Sequence, residues 1–139
     1  MRYWDSSAII SLLVVEASSP ARSSLLEEDP QVVTWWASRV ECASGLSRLC
    51  RDQSLDEKGL IQALGNLDAF CETCAEVLPS EEVRKRALRL LRVHPLRAAD
   101  ALQLAAALAA AHEDPSSLSL VTSDDQLKLA AEKEGFTVL

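Results

Sequence analysis

The chain contains 139 residues, of which 48% are hydrophobic and 25% are charged. This length and composition suit a single domain over residues 1–139, large enough to bury a core without disulfides or metal. The formal net charge of −7 argues against a protein that holds nucleic acid by bulk electrostatic attraction, but it is compatible with one that meets phosphate through a metal ion.

No segment has the pattern of a membrane span or of a signal peptide. The strongly apolar window at 98–111 contains Asp100 and Gln103 and is shorter than the roughly 20 residues that a spanning helix needs. The N-terminal MRYWDSS lacks a basic start followed by an apolar centre. We therefore expect a cytoplasmic protein that does not contact a membrane.

The first half of the chain alternates short apolar runs with longer helical patterns. Ser18-Ser19-Pro20 ends one helix and starts the next, and Thr34 is a plausible N-cap for the helix that follows it. The predicted elements are a strand at 1–4, a helix reaching residue 15, a short helix to about 28, a strand at 31–34, and helices at 35–51 and 56–70.

The second half continues the alternation, with Pro79-Ser80-Glu81-Glu82 as a helix start and Gly135 as a helix end. Strands separated by helices predict an α/β fold with a mostly parallel sheet and helices on its faces. The predicted elements are a strand at 75–78, a helix to about 92, an alanine-rich helix at 96–112, a strand at 118–122, a helix at 124–134 and a final strand at 136–139.

The four cysteines do not form a complete metal-binding pattern. Cys71 and Cys74 have the spacing of half a zinc site. Cys42 and Cys50 are eight positions apart on a predicted helix, roughly 12 Å along its axis, which is too far to share one ion. We interpret all four as reduced, partly buried thiols, with a redox or metal role for the Cys71–Cys74 pair as the alternative.

Four acids occupy positions that favour a functional site. Ligands of open α/β sheets bind beyond the carboxyl ends of the strands, where Asp5 follows the first strand and Asp124 follows the fourth. Glu41 and Asp100 lie within helices among small or apolar residues. Burying a carboxylate is costly unless it is paired or binds metal, so these acids are candidates for one shared site.

Each acid also has a simpler interpretation. Asp5 and Asp124 could cap the helices that follow them, and Asp100 could pair with Arg97 one turn earlier. Glu41 could lie on a solvated helix face near Arg48 or Arg51. Taken together, these roles explain less well why acids interrupt the least polar helix starts in the chain.

Four motifs in order resemble the PIN domain, and most closely the VapC-type toxins of type II toxin–antitoxin pairs. The resemblance extends over essentially the whole chain, and the third motif is its most specific part. It implies an α/β/α fold of three layers around a central, mostly parallel sheet of four or five strands. The motifs are DSSA, RVECASGLSR, HPLRAADALQLAAAL and LVTSDDQLKLAAEKEGF.

The resemblance assigns catalytic roles to Asp5, Glu41, Asp100 and Asp124. It implies that the three aspartates hold Mg²⁺ or Mn²⁺, directly or through its waters, and that Glu41 assists as a ligand or as a base for water. Clustered carboxylates raise one another's pKa unless a cation neutralises them, which agrees with a metal role. Asp125 fits the motif of the family only with a slip of one residue.

The implied activity is that of a metal-dependent endoribonuclease, the toxin of a VapBC-type pair, which cleaves RNA phosphodiester bonds with a metal-activated water. Ser7, Thr122 and Arg97 are the expected substrate-binding residues. The implied partners are RNA, a cognate antitoxin and a second copy of the chain in a homodimer. The alternatives are a PIN nuclease in RNA processing and a non-catalytic, partner-binding PIN-like module.

The predicted helix after Pro79 carries an unusual share of the positive charge. Six of the fourteen Lys and Arg residues lie between Arg84 and Arg97. Lys85, Arg89 and Arg92 share one face of this helix. The pattern indicates either an ordinary solvated face or a rim that meets RNA phosphates.

Overall fold

The structure, a computed structural model that describes residues 1–139, contains a parallel four-stranded sheet. The strands are β1 at Arg2–Trp4, β2 at Val32–Trp35, β3 at Ala75–Val77 and β4 at Ser119–Val121. The strand order is β3-β2-β1-β4, so the first strand of the chain lies in the interior of the sheet and pairs with the last. All three strand pairs are parallel.

Helices cover both faces of this sheet, which confirms the predicted α/β fold. The helices are α1 at Ser6–Leu13, α2 at Ser19–Glu28, α3 at Ser38–Arg51, α4 at Glu57–Cys71, α5 at Glu81–Val93, α6 at Ala98–Ala110 and α7 at Asp125–Lys133. One buried cluster lies between the sheet and α5, α6 and α7, and a second lies between the sheet and α1, α3 and α4.

Strand β1 shows how the two cores share the sheet. Tyr3 packs in the cluster beneath α5 and α6, whereas Trp4 packs in the cluster beneath α1 and α3. Successive side chains of a strand point to opposite faces, so adjacent residues enter different cores. Both side chains are fully buried. The short central strand therefore ties the two helical layers together.

Side chains cap several of the helices. Ser80 caps α5 as expected, and Asp56 caps α4. The prediction that Thr34 caps the third long helix is wrong, because Thr34 lies inside β2 and α3 begins at Ser38. The Thr34 hydroxyl instead donates to the Trp4 carbonyl at 2.8 Å, across the sheet.

The final predicted strand is only partly formed. Residues 136–139 run beside β4 and make a single parallel bridge, between Leu120 and Val138. The amide of Leu120 donates to Thr137, and the amide of Leu139 donates to Leu120, each at 2.9 Å. The segment therefore covers the edge of β4 without becoming a fifth strand.

The four cysteines are free thiols, as interpreted from their spacing. Burial raises the pKa of Cys42 and Cys71, and it raises that of Cys74 to about 12. Thiols held in the neutral form are poor nucleophiles and poor metal ligands. No helix combines the length and the apolar character that a bilayer crossing requires.

Candidate active site

Two capping aspartates meet where the central strands end. Asp5 caps α1 and accepts a hydrogen bond from the Ala8 amide at 3.1 Å, while Asp124 caps α7 and accepts one from Leu127 at 2.7 Å. The Asp5 amide also donates to the Val121 carbonyl at 3.1 Å, which joins the ends of β1 and β4. The simpler interpretation of both residues as helix caps is therefore correct, and it also places them at one edge of the sheet.

The four predicted acids line one open pocket of about 660 Å³ at this edge. Asp5 and Asp124 enter from the strand ends, Glu41 from α3 and Asp100 from the first turn of α6. Asp100 forms no salt bridge with Arg97, although the charge of Arg97 partly opposes the rise in the pKa of Asp100 that burial causes. A pocket with four carboxylates agrees with a cation site better than with four separate structural roles.

Burial and the charge of a neighbouring acid raise the pKa values of aspartates in the pocket. Asp5 is only 4% exposed, and burial raises its pKa to about 6 against the opposing hydrogen bonds from Ser7 and Ala8. Burial also raises the pKa of Asp100, and the negative charge of Asp124 raises it further. Raised carboxyl pKa values are expected where acids cluster before a cation compensates them.

A relay of hydroxyl groups holds Asp5 in place. The Ser7 hydroxyl donates to Asp5 Oδ1 at 2.9 Å and lies 3.3 Å from the Thr122 hydroxyl. The Ser123 amide donates to Ser7 at 2.8 Å, and the Asp124 amide donates to Thr122 at 3.0 Å. Since the single hydroxyl hydrogen of Ser7 is given to Asp5, a hydrogen bond between the two hydroxyls can only be donated by Thr122, whose hydroxyl also opposes the rise in the pKa of Asp5. Both hydroxyls are thus engaged within the protein.

Glu41 is held by two donors on the same carboxylate oxygen. Ser6 and the Gln103 side-chain amide each donate to Oε2 at 2.8 Å. Two hydrogen bonds to one oxygen restrict the rotation of the carboxylate and leave Oε1 for another partner. Nearby Tyr3 keeps its phenolic proton, because burial raises its pKa and the charges of Asp5 and Glu41 raise it further.

Two arginines line the pocket without forming a salt bridge. Arg48 enters from α3 and Arg97 from the residue before α6, and both are exposed. Arginines of α5 do form salt bridges, since Arg86 pairs with two glutamates and Arg89 pairs with Glu134. The free positive charge near the acids therefore comes from α3 and the start of α6 more than from α5.

The donor set fits a partly hydrated divalent ion. No three His, Cys, Asp or Glu side chains lie close enough to ligate one ion by themselves. The acidic side chains of the pocket offer only carboxylate oxygens. Mg²⁺ prefers oxygen ligands, keeps several waters and uses one or two protein carboxylates, as this pocket provides. A closed zinc site would need converging nitrogen or sulfur ligands, which are absent.

The sequence patterns assigned no role at the site to three residues of this region: Ser6, Arg48 and Gln103. Arg48 lies about two turns after the acid of α3, and Gln103 lies about one turn after Asp100 on the same face of α6. The polar interruption of an otherwise apolar helix at position 103 was a usable signal. The contact of Ser6 with Glu41 depends on tertiary packing alone.

Comparisons with known proteins agree on one family. A family model described as PIN domain matches residues 2–133. Ribonuclease VapC45 and ribonuclease VapC49, from two strains of Mycobacterium tuberculosis, are each 31% identical to this chain over 136 residues. Each alignment covers 98% of this chain and 92% of the relative.

Solved structures share the fold. A toxin–antitoxin complex from Klebsiella pneumoniae contains a chain that superposes with a TM-score of 0.65 at 18% identity, covering 89% of this chain and 87% of that one. The crystal structure of FitAcB from Neisseria gonorrhoeae gives a TM-score of 0.63 at 19% identity, covering 100% and 96%. Identities this low support the similarity of the fold alone.

Proposed function

The chain belongs to the PIN-domain family, and from this premise we propose that it is a metal-dependent endoribonuclease, the toxin of a VapBC-type toxin–antitoxin pair. The observation that carries the proposal is the convergence of Asp5, Glu41, Asp100 and Asp124 on one pocket. Its two relatives are named ribonucleases and align over nearly the whole chain. No other cluster of catalytic groups is required for phosphodiester hydrolysis of this kind.

In this proposal Asp5, Asp100 and Asp124 hold Mg²⁺ or Mn²⁺, directly or through water, as PIN-domain nucleases generally depend on a divalent metal. When bound, such an ion would lower the pKa of a water molecule and stabilise the negative charge that develops on the phosphate. Glu41 orients the attacking water and takes its proton on Oε1, since its other oxygen is engaged by Ser6 and Gln103.

Ser7 and Thr122 were expected to contact substrate, and we propose a different role for them. Their hydroxyls form the relay that ends on Asp5 Oδ1. Thr122 is also buried. The relay fixes the Asp5 carboxylate and favours its ionised form. Both residues then act on catalysis through Asp5.

Arg97 and Arg48, the two unpaired arginines of the pocket, bind the RNA phosphates in this proposal.

We expect Arg48→Ala to raise KM for RNA and to leave kcat nearly unchanged. It should also lower the slope of log Kd against log salt concentration by about 1, because one phosphate contact is lost. Arg51→Ala is the matched control, as Arg51 ends the same helix without lining the pocket. Equal salt slopes for both variants would contradict a phosphate contact of Arg48.

The remaining assignments rest on the family. We propose that the chain is one domain over residues 1–139, that it acts in the cytoplasm as a homodimer, and that a cognate antitoxin covers it. One solved structure of the same fold is described as a toxin–antitoxin complex. Both cores pack on the one sheet, which supports a single domain.

Incubation of purified protein with single-stranded and structured RNAs tests the activity. We expect cleavage with Mg²⁺ or Mn²⁺, none with excess chelator, and none by Asp100→Asn. Cleavage that persists in chelator or in this variant would contradict the metal mechanism. Single-stranded DNA serves as the comparison substrate, and absence of any cleavage by the wild type favours a non-catalytic PIN-like module.

Expression tests separate a toxin from an RNA-processing enzyme. We expect growth arrest on expression of the wild type and normal growth with Asp100→Asn. Co-expression of a small protein encoded beside the gene should relieve the arrest. Cleavage in vitro without growth arrest would favour RNA processing.

A further inference from the structure

A buried amide connects the central strand to the acid of α3. Gln103 is 1% exposed and lies in the middle of the alanine-rich helix α6. The fully buried Tyr3 hydroxyl donates to Gln103 Oε1 at 2.7 Å. A buried polar group needs hydrogen-bond partners, so this side chain requires a matching arrangement around it.

The amide nitrogen of Gln103 uses both of its hydrogens. One hydrogen is donated to the buried Ser38 hydroxyl at 2.9 Å and the other to Glu41 Oε2 at 2.8 Å. A primary amide has two donor hydrogens and one acceptor oxygen. With Tyr3 on the oxygen, both polar atoms of the side chain are engaged, which holds the amide in one orientation.

The Glu41 carboxylate allows only this orientation of the amide. A reversed amide would turn its oxygen toward Glu41, where two acceptors repel. Ser38 accepts from Gln103, and it also lies 2.8 Å from the Thr34 hydroxyl, which is placed to donate to it. The same Thr34 hydroxyl lies 2.8 Å from the Trp4 carbonyl. The amide is therefore held between the charge of Glu41 on its nitrogen and the Tyr3 hydroxyl on its oxygen.

We propose that Gln103 is a positioning residue for the ribonuclease reaction, held by Tyr3 so that its amide nitrogen fixes Glu41 in one orientation toward the pocket. This inference rests on the proposed function for its readout. The Gln103 side chain does not line the pocket. It acts on catalysis only through Glu41, as outer-shell partners of catalytic carboxylates do.

The side-chain chemistry at this position is restrictive. Glutamate in place of Gln103 would bring a second negative charge against Glu41, and asparagine would be one methylene too short to keep both contacts. Methionine has a similar length and no donor. Gln103→Met thus removes the contact to Glu41 while filling the same space, and Tyr3→Phe removes only the hydroxyl that orients the amide.

The test compares kcat, KM and thermal stability of Gln103→Met and Tyr3→Phe with a control, Leu108→Ala. Leu108 lies on the same helix in an apolar environment, and its replacement by alanine lowers the melting temperature because it leaves a cavity in the core. We expect both network variants to lose about 10-fold or more in kcat with KM within twofold of wild type. The control should keep its kcat when assayed below its melting temperature.

A second readout does not depend on RNA cleavage. The side-chain NH₂ resonances of Gln103 should be slow to exchange with solvent in the wild type and clearly faster in Tyr3→Phe, because the amide loses its anchor. Fast exchange in the wild type would overturn the proposal.

The outcomes separate two failures. If the wild type cleaves no RNA, the proposed function fails, and the NMR measurement alone decides whether the amide is held. If the wild type is active and the network variants keep kcat within twofold, or lose no more than Leu108→Ala, the positioning role is overturned. Should Gln103→Met fail to fold, Tyr3→Phe still decides the matter, since it removes one oxygen only.

Discussion

Replacing Asp5 by asparagine is expected to abolish RNA cleavage and, in metal-free buffer, to make the fold more stable. Asparagine keeps an oxygen that can accept from the Ala8 amide and the Ser7 hydroxyl, so the cap of α1 survives. The negative charge is lost, and with it a ligand for the divalent ion. We expect a fall in kcat of roughly 100-fold or more, the size seen when one charge-stabilising group is removed from an active site.

The gain in stability follows from the pKa of Asp5. Burial raises this pKa from 3.8 to about 6, so the folded chain binds a proton more tightly than the unfolded chain. The wild type therefore loses stability as pH rises from about 4 through 6, by up to about 3 kcal/mol. The asparagine of Asp5→Asn does not titrate in this range. The gain in the free energy of unfolding over the wild type is therefore near zero at pH 4 and largest above pH 6.

Thermal melts of both proteins from pH 4 to pH 8, with chelator and with Mg²⁺, measure this effect. We expect Asp5→Asn to melt several degrees higher at pH 7 in chelator. Mg²⁺ should raise the melting temperature of the wild type more than that of the variant, because the ion binds the folded wild type. A variant that melts lower than the wild type at pH 7 would contradict the buried charge at Asp5.

The second large effect distinguishes two adjacent aspartates. Asp124→Asn is expected to lower kcat by roughly 100-fold or more, whereas Asp125→Asn should leave it within about threefold. Asp124 lines the acidic pocket and raises the pKa of Asp100, so it lies close to a second acid. Asp125 is exposed in the first turn of α7 and does not line that pocket.

The two variants provide matched controls for each other. Asparagine at 124 can still accept from the Leu127 amide, so the cap of α7 remains. Asparagine at 125 loses only a favourable charge at the helix N-terminus, about 0.3 to 1 kcal/mol. The measurements are the cleavage rate at saturating RNA and the melting temperature of each variant. We expect similar melting temperatures for the two variants but a much lower rate for Asp124→Asn. Equal loss of activity in both variants would contradict the assignment.

The fold, and the meeting of the four acids in one pocket, could be predicted because the sequence signals for them are local. Asp5 and Asp124 each follow a short apolar strand and cap a helix, and the rule that parallel strands end at one edge then brings them together. Asp100 and Glu41 stand out as acids among small and apolar neighbours. The predicted cap at Thr34 is wrong because this residue is buried in β2, where its hydroxyl donates to the Trp4 carbonyl of the neighbouring strand. Rules for helix capping consider only residues near in sequence and do not include such a contact.

The hydrogen bonds around the acids could not be predicted, because their partners are far apart in the chain. Gln103 reaches Tyr3, Ser38 and Glu41, which belong to β1 and α3. Periodicity shows only that position 103 interrupts an apolar helix. Likewise, the spacing of basic residues drew attention to α5, where several arginines are paired, and away from Arg48, which is unpaired and lines the pocket.

The placement of β1 beside β4 also determines when the site can exist during synthesis. Ser7 and Thr122, which meet in the relay, are 115 residues apart in the chain. Contacts this distant in sequence form late, after the intervening chain has been made and the loop has closed. A nascent chain that has not yet produced β4 carries three of the four acids but no complete pocket. The ribosome that makes this protein is therefore exposed to a working nuclease only after β4 and Asp124 have been translated and β4 has paired with β1.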